Sequence, residues 1–360
     1  MGVVYYYSSN DGNKWSSLQR ISALNGNTYD YFGSAVGLYQ KNKAVIGAWG
    51  SDIAAGGGGA VYTYRMVNNQ WSHNGRIVSP SPVDFEWFGG SVSVYGHALV
   101  VGAAGSTGGG NMGGAVFMYS DATSPTFALQ KKVYGETSDT FGKSVAVHGD
   151  IMVVGAPGAY RNKADYYDQF SLRTGRVTVY RWKNNVWSFE EYITCTDCGN
   201  GDVFGLSVAV NSHSGSIVVG KKKGASVYQY DGGATAGNRW KDVTELTPPE
   251  EMVVQDNSYG SSVAISETAA FIGSRDETGL GGIQAGKVFG FVGAVDTYDY
   301  ALEAQLRKEI IIYEILYGII GLGLVILAVL PVVMVAQILG DKLREEAQES
   351  KAKDHRPLIK

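Results

Sequence analysis

Short runs of alternating apolar and small residues recur along the first 300 or so positions of this chain, separated by glycine-rich polar turns. An aromatic–glycine pair opens each period: Phe32-Gly33, Phe88-Gly89, Phe141-Gly142, Phe204-Gly205 and Tyr259-Gly260. The aromatic positions are spaced by 56, 53, 63 and 55 residues. After each pair the pattern alternates with period two, as in Ser144, Val145, Ala146 and Val147, which predicts a strand. About a dozen residues on comes Val-Ile-Gly-Ala-Trp-Gly at 45–50, Val-Val-Gly-Ala-Ala-Gly at 100–105 and Val-Val-Gly-Ala-Pro-Gly at 153–158. The element degrades at 218–224 and 271–274. A third strand reads Gly-x-Val-Tyr-like at 59–62, 114–117, 175–178 and 286–289, with a variant at 224–228 and a further copy at 2–5. A fourth is a polar turn ending in Trp15, Trp71, Trp187 or Trp240, with Phe127 once in that place and Tyr298 and Tyr300 in the last repeat.

Four short strands in a period of this length predict one propeller blade. A lone blade cannot bury both faces, so neighbours must stack. The chain therefore reads as an all-β propeller over 1–300. Five full repeats begin near 31, 87, 140, 203 and 258, and a partial N-terminal blade covers 1–25. Small residues place the first strand of each repeat innermost, while Tyr and Trp of the outer strands fill the widening wedge. The recurring glycines predict positive φ or close backbone approach. An acid or amide stands two residues before each aromatic–glycine pair: Asp30, Glu86, Asp139, Asp202 and Asn257. Its simplest role is to accept backbone N–H groups of the turn, the alternative being a ring of ligand groups.

Charge and composition narrow the function. Thirty basic and 34 acidic residues give a net charge of −4, and no basic stripe is interleaved with aromatics, which argues against nucleic acid. Two cysteines, Cys195 and Cys198, make no disulfide framework but can form a small local bridge. No Gly-x-Ser-x-Gly, His-Glu-x-x-His or phosphate loop is present, so no catalysis is expected. His97, His148 and His213 fall in first-to-second-strand turns, and His73 in a loop. Glycines at 56–59 and 108–110 read as flexible inter-strand loops, and Lys221, Lys222 and Lys223 as solvated surface. The longest loop, 159–174, mixes Arg161, Asp165, Tyr166, Tyr167, Asp168 and Phe170. It is the candidate ligand-binding segment, against the alternative of a loop folded over its own blade.

These elements resemble the FG-GAP repeat of integrin α-subunit heads, with Phe141-Gly142, Gly155-Ala156-Pro157 and Gly175-x-Val177 the best copy. The resemblance implies a propeller that binds extracellular protein or glycan ligands. Three features depart from the family plan: five full repeats rather than seven, no leg domains, and no intact Asp-x-Asp-x-Asp-Gly calcium loop. Asp11 with Asn13, and Asp197 with Asp202, come nearest to such a loop. They read as polar hairpins, with Ca2+ the alternative and no other cofactor expected. The juxtamembrane Gly-Phe-Phe-Lys-Arg is replaced by Gly340-Asp-Lys-Leu-Arg344, which argues against an integrin β-type partner.

Residues 315–339 are uncharged throughout. As a helix they would span about 37 Å, against a hydrocarbon core of about 30 Å, so a single transmembrane helix in contact with lipid is predicted. A juxtamembrane linker (301–314) precedes it and a tail (340–360) follows. The tail carries Lys342, Arg344, Lys351, Lys353, Arg356 and Lys360, whereas the linker holds Arg307 and Lys308. This asymmetry predicts a cytoplasmic tail with the propeller outside or lumenal; a tail-anchored cytosolic propeller is the competing topology. Met1 enters mid-blade with no signal peptide after it, which reads as a truncated N-terminus. The expected function is a single-pass, adhesion- or receptor-like ligand binder. The alternatives are the accessory propeller of a membrane-bound hydrolase and a non-catalytic scaffold assembling through its helix.

Overall fold

A computed structural model describes residues 2–9, 14–40, 42–122, 126–160, 173–248, 258–275 and 286–293. Every regular element in them is a β-strand. A two-stranded pair, β1 (Val3–Ser8) and β2 (Ser16–Ser22), comes first. Blade 1 is β3 (Ala35–Tyr39), β4 (Lys43–Ala48), β5 (Ala60–Val67) and β6 (Gln70–Ile77). Blade 2 is β7 (Phe88–Tyr95), β8 (Ala98–Ala103), β9 (Ala115–Ser120) and β10 (Ala128–Tyr134). Blade 3 is β11 (Ser144–His148), β12 (Ile151–Ala156), β13 (Arg176–Lys183) and β14 (Val186–Thr194). Blade 4 is β15 (Ser207–Asn211), β16 (Ser216–Lys221), β17 (Gly224–Tyr230) and β18 (Trp240–Leu246). Blade 5 shows β19 (Tyr259–Ile265), β20 (Ala269–Ser274) and β21 (Lys287–Val292). Within each blade the strands lie antiparallel in chain order. Tyr298, Tyr300, the predicted linker, transmembrane span and tail all lie outside the described residues.

The core sits between blades rather than within them. Val45 and Val61 of blade 1 pack with Phe88 and Phe117 of blade 2. Val100 and Met118 then meet Phe141 and Met152 of blade 3. Val153 and Val177 meet Phe204 and Ile217 of blade 4, and Val218 and Val227 meet Tyr259 and Ile272 of blade 5. Phe32, Phe88 and Phe204 are fully buried. Burying such a ring contributes about 2–3 kcal/mol, so each repeat's aromatic acts as an anchor for the stack.

The repeated glycines are explained by this stacking. The glycine of each aromatic–glycine pair has φ near +85 to +89°. Its N–H donates within its own blade: Gly142 to the Gly155 carbonyl (3.0 Å) and Gly205 to that of Gly220 (3.1 Å). Its carbonyl accepts from the preceding blade: Ser91 Oγ donates to Gly142, Ser144 to Gly205 and Ser207 to Gly260, each at 2.8 Å. The second-strand glycine must also be bare. A Cβ on Gly102 or Gly155 would run into the next blade's glycine carbonyl and into the clasping serine Oγ. Ala35 stands where the other blades have that serine, so blade 1 lacks this bond.

A second grip lies at the rim. After three of the outer aromatics, the residue four places on holds the backbone of the next blade's tryptophan. Gln19 bonds both N and O of Trp71, Lys131 Nζ donates to Trp187 O (2.9 Å), and Glu191 accepts from Trp240 N (2.8 Å). The pair β1–β2 thus stacks on blade 1 through the contacts that outer strand pairs use elsewhere.

Two readings from sequence are corrected here. The glycine-rich loop at 56–59 is a latch rather than a flexible loop: Phe85, Trp87 and Phe88 N–H groups donate to the carbonyls of Gly56, Gly57 and Gly58. The loop after β8 repeats the pattern, with Ser138, Thr140 and Phe141 donating to Asn111, Met112 and Gly113. His73 lies on β6, not in a loop.

Candidate functional site

Three of the turns before an aromatic–glycine pair are built around their acid. Asp30 accepts from Asn27 N (2.7 Å), Asp139 from Glu136 N (3.1 Å) and Asp202 from Gly199 N (2.7 Å). The carboxylate closes the turn by bonding the backbone three residues upstream, the role expected from sequence. Glu86, one methylene longer, departs from the pattern. It is fully buried and lies 3.7 Å from Lys132 Nζ. Asn257 lies outside the described residues.

The residues on both sides of the acid lie in the left-handed region, in the Glu86 turn as in the others. Their φ values are 71° and 53° at Tyr29 and Tyr31, 58° and 57° at Phe85 and Trp87, 65° and 51° at Ser138 and Thr140, and 83° and 51° at Gly201 and Val203. Bulky side chains in this region cost on the order of 1–2 kcal/mol each. Blades 1 and 2 nonetheless carry four aromatics there.

Two of these side chains, Tyr31 and Trp87, meet through Trp49. Tyr31 stacks on Trp49 with centroids 4.4 Å apart and planes 6° from parallel. Trp49 meets Trp87 edge-on at 6.2 Å and 80°. Phe85 lies against Gly57 of the latch loop. Gly50 and Gly105 leave room for the Tyr31 and Trp87 rings and for the carbonyls of Tyr29 and Phe85. Tyr29 is 73% exposed, Phe85 67% and Tyr31 46%, which is unusual for rings of this size. Ile53 and Val83 extend the exposed apolar surface. Asp52 and Asp84 border it, each holding the latch loop through Oδ1: Asp52 accepts from Gly57 N (2.6 Å) and Asp84 from Gly56 N (2.9 Å). The corner is legible in retrospect as Tyr-Asp-Tyr-Phe-Gly, Gly-Ala-Trp-Gly and Phe-Glu-Trp-Phe-Gly, but only folding brings the three segments together.

The ligand and metal candidates from sequence fall in other segments of the chain. Arg161, Asp165, Tyr166, Tyr167 and Asp168 lie outside the described residues, as do Asp11 and Asn13. Cys195 and Cys198 are joined in a disulfide with a Cα–Cα distance of 5.4 Å. Among the described residues, Cys195, Asp197 and Cys198 are the one set that brings three metal-type ligands together. Its two sulfurs are already bonded to each other, and Asp197 faces the Lys221 ammonium at 3.5 Å. Asp202 is spent on its turn. Lys221 is not solvated surface: it is buried on β16 between Asp197 and Glu245 (3.1 Å).

Two further clusters were not legible. Asp121, almost wholly buried, takes Lys43 (2.9 Å) and Arg65 (2.8 Å) from blade 1 and His97 (2.9 Å) from its own blade. Burial pushes its carboxyl up, but hydrogen bonds from Lys43, His97 and Arg65 outweigh this and hold it below the usual carboxylate range. At the inner hairpins, Tyr39, Tyr95, His148 and His213 form a chain of touching rings from four successive blades. Burial, with His213 nearby, lowers His148 to about 4. Ser212 N donates to its Nδ1 (3.1 Å), a bond that requires that nitrogen unprotonated.

One comparison with known proteins bears on the repeat. The family model for the FG-GAP repeat matches residues 15–64 and 135–167. No curated protein matches the chain. A solved structure titled "Crystal structure of the Saccharomyces cerevisiae Sqt1" aligns over 82% of this chain and 89% of its own, at 8% identity and a TM-score of 0.40. Repeat match, blade order and stacking glycines agree: the chain carries FG-GAP repeats, and its described residues form a β-propeller of five blades.

Proposed function

We propose that this propeller is the ligand-binding head of a single-pass membrane protein, receptor- or adhesion-like and without catalysis. The observation that carries the reading is the aromatic corner of Tyr29, Tyr31, Trp49, Phe85 and Trp87. A propeller needs no exposed ring at these strained turn positions, since blades 3 and 4 make the same turn with Ser138, Thr140, Gly201 and Val203. Exposed aromatics held rigidly on a scaffold are the usual material of binding hot spots. The uncharged run at 315–339 and the basic tail behind it support an anchor with the propeller outside or lumenal. On this reading β1–β2 are the outer strands of a further blade, because Gln19 grips Trp71 as Glu191 grips Trp240.

The test uses the full chain with a C-terminal tag in cultured cells. Carbonate washing is expected to leave it in the membrane fraction, and protease added to intact cells to remove the propeller. A chain released by carbonate, or a propeller protected in intact cells and exposed only by permeabilisation of the plasma membrane, would overturn the anchored, outward-facing reading.

A further inference from the structure

We propose that the aromatic corner on blades 1 and 2 is a carbohydrate site that takes an uncharged, hydroxyl-rich glycan. The inference rests on the ligand-binding reading above and names the ligand class. Three segments form the corner: 23–34, 49–59 and 79–90. None contains a Lys, Arg or His, and together they hold four acids, Asp30, Asp52, Asp84 and Glu86. Two of these, Asp30 and Glu86, are buried beneath the turns, and the other two stand exposed at the border. Sulfated, sialylated or uronate-bearing chains would therefore meet exposed carboxylates and no cation from these segments, an unfavourable match; the Lys132 ammonium beside them is turned to buried Glu86.

The remaining surface fits a pyranose. Tyr31 and Trp49 form a flat double layer, and Trp87 stands at a steep angle to it, giving a floor and a wall. The weakly positive C–H face of a sugar ring packs on the negative face of an aromatic ring, a contact of modest strength that adds up over several rings. The ring's hydroxyls need acceptors at its edge. Asp52 and Asp84 use only Oδ1 in the latch, which leaves Oδ2 of each for an outside hydroxyl. Such charge-assisted bonds are stronger than neutral ones. The turn backbone and the main-chain latch hold the rings in place before the ligand arrives, which lowers the entropy cost of binding.

The experiment titrates full-length protein in detergent micelles with four probes: β-1,4-glucan and α-mannan hexamers, a heparan-sulfate hexamer and an oligolysine hexapeptide. Tryptophan fluorescence and calorimetry read the binding. A neutral hexamer is expected to bind, to lose at least tenfold in affinity in Trp49→Ala and Tyr31→Ala, and to lose several-fold in Asp84→Asn. Thermal melting identifies variants that remain folded; Trp49→Phe, which keeps a flat ring, is expected to retain most binding. Preference for the sulfated hexamer or for oligolysine, or neutral binding indifferent to Tyr31 and Trp49, overturns the glycan inference. So does failure of every probe to bind. The wider reading is tested separately by adhesion of cells to the immobilised full chain. Adhesion lost in Trp49→Ala without glycan binding sinks only the glycan inference, whereas adhesion indifferent to all five corner aromatics sinks both.

Discussion

The turns before Phe88 and before Phe141 share one backbone and present two different surfaces. Both place an acid at the centre, left-handed residues on either side and a latch from the preceding blade's glycine-rich loop. In blades 1 and 2 the flanking positions carry Tyr29, Tyr31, Phe85 and Trp87; in blades 3 and 4 they carry Ser138, Thr140, Gly201 and Val203. The same division runs through the inner hairpins, where Tyr39 and Tyr95 give way to His148 and His213. The lesson is that framework and recognition use different positions of one repeat. Glycine, acid and serine set the geometry. The residues beside the acid project outward and are free to differ, so one half of the stack can hold an aromatic surface while the other stays plain.

The contrast can be broken most severely through the framework, in either half. Replacing Gly102 or Gly155 with Ala is expected to cost several kcal/mol, on the order of 3–5, because a Cβ there meets rigid backbone of the next blade. Asp121→Ala should cost a similar amount, about 3–5 kcal/mol, by leaving Lys43 buried without its carboxylate. Thermal unfolding of the full chain followed by circular dichroism measures both. Wild-type melting by either variant would show that the blades are not held as described.

Acid should affect blades 3 and 4 selectively. His148 titrates at about 4 when folded, against an ordinary value of 6.5. The unfolded chain therefore binds the proton first. Its contribution is complete above about pH 6.5 and is lost as pH falls towards 4. His148→Gln should flatten the melting temperature across that window while leaving the value at pH 8 less changed. An unchanged slope would mean that His148 is not shielded by Tyr95, Ser212 and His213.

Smaller effects separate surface from scaffold. Trp49→Ala should reduce ligand affinity by at least tenfold, about 1.4 kcal/mol, with little change in melting. The smallest effect is expected at Phe85→Gly. Relief of the left-handed strain at φ 58° and the entropy cost of glycine should nearly cancel, leaving stability within about 1 kcal/mol of wild type. A large loss would show that the ring supports the fold rather than a ligand.

Much of the framework was legible in the sequence. Period-two alternation gave the strands, and the aromatic–glycine pairs gave the blades. Their alignment also gave the acid its turn role at Asp30, Asp139 and Asp202. Lys221 was misread because a run of three lysines signals solvent, while its partners Asp197 and Glu245 lie 24 residues away on either side. The latch loops were misread because glycine is permissive, and only the facing N–H groups of Phe85, Trp87 and Phe88 make 56–59 rigid.

By itself, then, the sequence determined the strand pattern, the repeat and the need for bare backbone at two glycines per blade. Those properties follow from local alternation and from spacing that survives in one dimension. Tertiary structure alone decided that Tyr31, Trp49 and Trp87 share a corner, that Asp121 gathers Lys43, Arg65 and His97 and that four rings line the inner hairpins. Each of these joins residues from different blades, and distances between blades are fixed by stacking, which no local pattern encodes.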